Sequence, residues 1–228
     1  MTDTAPRPLR LLLDTADTDQ WERWLPTGIL GGVTTNPLLL ERAGLPCNLE
    51  TLGELAARAT ALGAGEIHVQ TWGEDTDAMV RRGRELARLQ SSGLRVLVKV
   101  PATEAGLRAA ALLQEEDCAL TLTAVFNRGQ VMAAAALGTA YAAPYLGRML
   151  DDGRNGMAEI TAMQEILRRT ASGTRLLTAS LRTAAQVGEL AARGVDTFTV
   201  APRILAELLH DELTLKAAAD FNRAAAEI

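Results

Sequence analysis

A lysine stands inside an apolar, β-branched run, Val96-Leu97-Val98-Lys99-Val100-Pro101. Such a run reads as a strand of a parallel sheet covered on both faces. An ammonium buried there is costly unless it is paired or gives up its proton. A lysine that gives up its proton is a nucleophile toward carbonyl carbon and can form a Schiff base. The plainer alternative is a strand-end lysine whose stem lies on apolar surface while its head reaches water. Other polar residues stand where short apolar runs end: Asp14-Thr15, Thr34-Thr35-Asn36-Pro37, Gln70-Thr71, Thr121 and Thr123, Tyr145, Ser180 with Arg182, and Pro202-Arg203. Each has an ordinary explanation by itself. Asp14 and Asn36 are helix-capping types, and Thr121 and Thr123 are good strand residues. Arg148, Ser180 and Arg182 suggest an anion site, because a guanidinium donates to phosphate in a planar fork.

Short apolar runs alternate with helical patterns throughout. The expected strands lie near Leu9–Leu13, Ile29–Val33, Glu66–Gln70, Arg95–Val100, Leu120–Ala124, Ala140–Ala143, Leu176–Ala179 and Thr197–Ala201. Amphipathic or alanine-rich stretches fall at Leu49–Leu62, Asp75–Leu89, Glu104–Leu113, Gly129–Leu137, Met157–Thr170 and Thr183–Ala192. The cluster Arg81, Arg82, Arg84, Glu85 and Arg88 reads as a solvated helix face. Eight strands alternating with helices predict an α/β fold, a single (β/α)8 TIM barrel over residues 8–212, with an additional C-terminal helix over 213–228. The competing doubly wound sheet lacks its GxGxxG turn before the first helix. In a barrel the C-terminal strand ends converge on one face, which gathers the polar residues above around Lys99.

Composition narrows the partners. The 228 residues suit one larger domain, and a formal net charge of −5 with few aromatics (4%) argues against nucleic acid and anionic membranes. The opening MTDTAPRPLR lacks the apolar core of a secretory signal, and no stretch is long and apolar enough to span a bilayer. The expectation is a cytoplasmic protein. Cys47 and Cys118 match no metal or redox spacing and read as reduced thiols, and two histidines, His68 and His210, argue against a zinc site. Carbonyl chemistry here is expected to need no metal and no cofactor.

Asp14-Thr15, Gly32-Val33-Thr34-Thr35-Asn36-Pro37, Val98-Lys99-Val100-Pro101 and Ser180 with Arg182, in this order, resemble the transaldolase family. The resemblance runs from about Leu11 to the last helix and is nearest to the short branch, which holds fructose-6-phosphate aldolases and small transaldolases. It implies a metal-free class I aldolase on a (β/α)8 barrel, handling dihydroxyacetone units and phosphorylated sugars. Carried over by motif, Lys99 would be the Schiff-base nucleophile and Asp14 would move the proton of the cleaved hydroxyl. Thr34 and Asn36 would bind the dihydroxyacetone moiety, and Thr123 would hold the catalytic water. Arg148, Ser180 and Arg182 would grip phosphate. The resemblance also implies a homo-oligomer, a ring of five or a pair of rings, in which the alanine-rich helix with Phe221 reaches a neighbour. A helix folded back on its own barrel suits that sequence equally.

Two positions separate the branches. Transaldolases of this family carry a glutamate where this chain has Gln70, and the aldolases carry the tyrosine supplied here by Tyr145. A glutamine exchanges no protons, so the phenol and its water take over that role. This pairing points to the aldolase. Leu38 stands where a serine is common, Trp72 is expected to narrow the mouth, and Arg182 is the transaldolase type where the aldolases carry lysine. Transfer of a dihydroxyacetone unit between sugar phosphates stays open as the alternative. A phosphosugar-binding barrel without catalysis is the rival from another class.

Overall fold

The structure is a computed structural model and describes residues 7–226. Its eight strands are β1 (Arg10–Asp14), β2 (Leu30–Thr34), β3 (Glu66–Gln70), β4 (Arg95–Pro101), β5 (Leu120–Val125), β6 (Tyr141–Pro144), β7 (Arg175–Thr178) and β8 (Thr197–Val200). Each pairs in parallel with the next, and β1 also pairs with β8, so the sheet closes into a barrel. The helices outside it are α1 (Thr18–Trp24), α2 (Pro37–Arg42), α3 (Leu49–Ala61), α4 (Thr76–Ala87), α5 (Glu104–Gln114) and α6 (Arg128–Leu137). They continue with α7 (Leu146–Asp151), α8 (Gly156–Arg169), α9 (Ala184–Ala192), α10 (Pro202–Leu209) and α11 (Glu212–Ala226). This is the expected (β/α)8 barrel with its extra helix.

Local chemistry starts the helices. Asn36, Asn48, Asp75, Thr103 and Asn127 sit just before α2 to α6 with extended backbones, each accepting a hydrogen bond from a backbone N–H in the first turn. The main core lies between strands and helices, where Trp21, Leu52, Ile67, Val98, Leu113 and Phe198 are buried. A separate small cluster of Leu12, Leu97, Tyr141, Ala143 and Leu177 fills the barrel interior. The strands match their expected positions within a residue or two. Helices α1, α2, α7 and α10 were not anticipated, because the six to eight residues each contains cannot display a helical period.

The N-terminal end of the barrel holds a polar cluster. Arg10, Glu66 and Tyr141 open β1, β3 and β6, and they meet inside: the Tyr141 hydroxyl donates to Glu66 Oε1 at 2.9 Å, and Arg10 Nη2 lies 3.1 Å from the same oxygen. One step up β3, His68 is fully buried, with Nδ1 2.9 Å from Thr121 Oγ1 and Nε2 3.5 Å from Glu66. Burial keeps the His68 imidazole below its usual range, with Lys99 and Arg10 adding to the effect against the pull of Glu66. Burial opposes the Glu66 charge, yet His68, Arg10 and Tyr141 hold that carboxyl below the usual range. The same surroundings push the Tyr141 phenol up to about 12. Gly32 makes room for this: a Cβ there would fall on the Glu66 backbone carbonyl.

Helix α11 differs from the others. It has no buried residue, and Phe221 is 72% exposed, so the helix is not folded back onto its own barrel. Among the described residues no helix is long and apolar enough to cross a membrane.

Candidate active site

Lys99 lies near the C-terminal end of β4, only 4% exposed, with neighbours on both sides: Gln70 of β3 and Thr121 of β5 are in register with it. Its Nζ donates to the Thr35 carbonyl at 2.9 Å. The strand-end lysine reaching water is therefore excluded; the Lys99 amino group is held inside the barrel. A cavity of about 390 Å³ opens above it, and Lys99, Asp14, Thr34, Asn36, Tyr145, Arg148, Ser180 and Arg182 line one wall or another. The eight residues come from β1, β2, β4, the turns after β2, β6 and β7 and, for Arg148, helix α7, as convergence of strand ends requires.

Asp14 ends β1 and accepts from the Thr34 hydroxyl at 2.6 Å, and Thr34 Oγ1 lies 2.6 Å from Thr199 Oγ1 of β8. Burial raises the Asp14 carboxyl above its ordinary range, against the opposing influence of Lys99, the Thr34 hydroxyl and Arg42. A carboxyl poised this way is suited to take and return a proton. Asn36 caps α2, its Oδ1 accepting from the Leu39 N–H at 3.1 Å, and the residue also lines the cavity.

Tyr145 lines the cavity as well, and its hydroxyl oxygen lies 2.7 Å from that of Thr123. The Tyr145 ring meets Phe126 edge-on at 5.8 Å, which limits its swing. Thr123 and Gln70 are not among the cavity-lining residues; Thr123 reaches the site through Tyr145, and Gln70 stands beside Lys99 at the end of β3. Trp72 does not narrow this cavity. Its ring lies under the Arg82 guanidinium, 4.5 Å from centroid to cation, and is absent from the lining. Leu38, 49% exposed, does line it.

Arg182 pairs with Asp151 of α7. Arg42, Thr199, Asp151 and the Thr35 carbonyl also belong to the site and were not anticipated. Arg42 and Asp151 lie on the short helices that left no periodic signal, and a backbone oxygen has no signature in residue type. Among the described residues no group of three or more His, Cys, Asp or Glu side chains is placed to hold a metal ion.

Residues 11–228 match the family described as Transaldolase/Fructose-6-phosphate aldolase. A probable transaldolase of Geobacillus sp. (strain WCH70) is 32% identical over 219 residues, covering 94% of this chain and 99% of the relative. Probable transaldolases of Caulobacter vibrioides (strain NA1000 / CB15N) and Aquifex aeolicus (strain VF5) are each 33% identical, over 93% and 90% of this chain and 94% and 91% of theirs.

Proposed function

Because the chain belongs to the transaldolase/fructose-6-phosphate aldolase family, we propose that it is a class I aldolase working through a Schiff base at Lys99. The proposed substrates are ketose phosphates of the fructose 6-phosphate type, with dihydroxyacetone as the donor unit and no metal or cofactor. The observation that carries this reading is a buried lysine at the floor of a cavity shared with a raised-pKa carboxyl.

The steps follow from the placement. The neutral Lys99 amine attacks the ketose carbonyl; the carbinolamine loses water to give an iminium. Tyr145, hydrogen-bonded to Thr123, supplies the proton that lets the hydroxyl leave, with Gln70 orienting a water beside them. The iminium accepts the electron pair of the C3–C4 bond as that bond breaks, and Asp14 takes the proton of the C4 hydroxyl. The aldehyde leaves and an enamine remains. Protonation and hydrolysis release dihydroxyacetone and restore the amine. Thr34 and Asn36 hold the donor hydroxyls, and Arg148, Ser180 and Arg182 hold the phosphate. Gln70 and Tyr145 support cleavage over transfer.

The second reading is a transaldolase, in which the enamine adds to an aldose phosphate instead of a proton. The names of the relatives favour it. One experiment separates the two and tests both. Fructose 6-phosphate is incubated with the protein, with and without erythrose 4-phosphate, and a parallel sample is reduced with borohydride. Cleavage without the acceptor supports the aldolase; product only with it supports the transferase. Absence of a borohydride-stable adduct at Lys99 in folded protein overturns Schiff-base chemistry and leaves the non-catalytic phosphosugar binder. A cytoplasmic homo-oligomer, five or ten subunits joined through the exposed α11, completes the proposal, and sedimentation tests it.

A further inference from the structure

We infer that Asp151 is a positioning residue that orients Arg182 for phosphate, and so sets the preference for phosphorylated over unphosphorylated aldehydes. The inference rests on the phosphate role given to Ser180 and Arg182 above. Asp151 closes α7, three residues after Arg148. That spacing places the two side chains on one helix face, where an ion pair would be the local choice. The structure pairs Asp151 with Arg182 instead, from the end of α7 to the turn that follows β7, and leaves Arg148 without an ion pair among the described residues.

The surroundings of Arg182 all restrict it. Its N–H donates to Gln186 Oε1 at 2.9 Å, and its carbonyl accepts from Arg203 Nη2 at 3.0 Å. Ser180 takes a left-handed backbone (φ 58°), a strained conformation for a residue with a side chain. The two turns are joined backbone to backbone, with the Gly147 N–H donating to the Ser180 carbonyl at 2.8 Å and the Leu146 N–H to the Ala179 carbonyl at 3.0 Å. Gly147 supplies the space. A Cβ there would lie 2.7 Å from Arg182 Nε and 2.9 Å from Ser180 Oγ, so both donors crowd the same point beside the cavity. Asp151 takes one donor of Nη2, which leaves Nε, crowded beside Ser180 Oγ at Gly147, and the remaining guanidinium N–H groups for an anion.

Both partners are about half exposed, so the pair adds little to stability. Its consequence lies in the fork: a long side chain already held in place loses less freedom when phosphate arrives. A carboxylate near a phosphate also repels it, so two outcomes of opposite sign are available. Orientation predicts that Asp151→Asn weakens phosphate binding; repulsion predicts that it tightens it.

The test has two arms. In the first, inorganic phosphate is titrated into the whole protein and followed by calorimetry, which needs no turnover. In Asp151→Asn the affinity is expected to fall roughly tenfold, with Asp151→Glu recovering most of it. Unchanged or tighter binding in Asp151→Asn, or no phosphate binding by the parent protein, overturns the inference. In the second, KM is measured for dihydroxyacetone addition to glyceraldehyde 3-phosphate and to glyceraldehyde. The ratio of the two KM values is expected to shift about tenfold against the phosphorylated aldehyde. Equal losses with both aldehydes also overturn it, since a merely structural residue behaves that way. If the parent turns over neither aldehyde, the aldol reading fails, and the phosphate titration still decides the role of Asp151.

Discussion

The two ends of the barrel both bury polar side chains, and they treat them in opposite ways. At the N-terminal end, Glu66 is matched by Arg10 and Tyr141, with His68 above it, bonded through Nδ1 to Thr121 and with Nε2 3.5 Å from Glu66. At the C-terminal end, Lys99 has one backbone carbonyl, Asp14 has one threonine hydroxyl, and both face a cavity of about 390 Å³. The same barrel geometry builds both. Buried groups that satisfy one another specify structure, whereas groups left with spare capacity beside an opening are available to a substrate. The acid–base signatures agree: Glu66 is held below its ordinary range and Asp14 above its own.

The sharpest way to break this comparison is Glu66→Ala. It leaves the Tyr141 hydroxyl without its acceptor and Arg10 without its partner, and is expected to cost about 3 kcal/mol in chemical denaturation. The fraction that stays folded should still form the Lys99 adduct. Loss of adduct formation in that folded fraction would show that the lower cluster serves the chemistry. Tyr145→Phe should do the reverse, slowing turnover at least tenfold, about 1.4 kcal/mol in barrier, while barely moving the unfolding midpoint. Near-normal turnover would remove Tyr145 from the proton path.

The smallest effect separates the ends by pH. Asp14 has its folded pKa raised from 3.8, so its charged form burdens the fold above the folded pKa and the burden lifts as pH falls toward 3.8. Asp14→Asn should therefore be slightly more stable than the parent near neutrality, with the gap closing in acid, and catalytically impaired. Glu66 runs the other way. Its folded pKa is lowered from 4.5, so its contribution is present above 4.5 and lost as pH falls through the folded value. His68, lowered from 6.5, likewise contributes above 6.5 and loses that contribution in acid. Parallel melts of the parent and Asp14→Asn across this range test both signs; a gap that widens in acid would contradict the assignment for Asp14.

Much of this was legible in residue types. The runs Val96–Val100 and Leu120–Ala124 announce strands because their β-branched and apolar residues suit a sheet covered on both sides. Lys99, Asp14, Thr34, Asn36, Tyr145, Arg148, Ser180 and Arg182 stand at or just beyond strand ends, and closure of the barrel gathers them at one cavity. Helices α2 and α7 were illegible because six residues show no period, and Arg42 and Asp151 were hidden with them. Trp72 was legible as a large ring near a strand end, but its direction was not, since packing under Arg82 turned it away from the mouth.

The amino-acid order by itself determined the alternation of strand and helix, the caps that start the helices, and which residues stand at strand ends, because these depend on neighbours a few positions apart. Tertiary structure alone decided who meets whom. Only barrel closure puts Glu66 against Tyr141, 75 residues later, or Lys99 Nζ on the carbonyl of Thr35, 64 residues earlier. Only the docking of two turns sends Asp151 to Arg182 rather than to Arg148, its neighbour on the same helix. Local propensity is written along the chain. Pairing, burial and the pKa shifts they cause belong to distances that exist only once the sheet has closed.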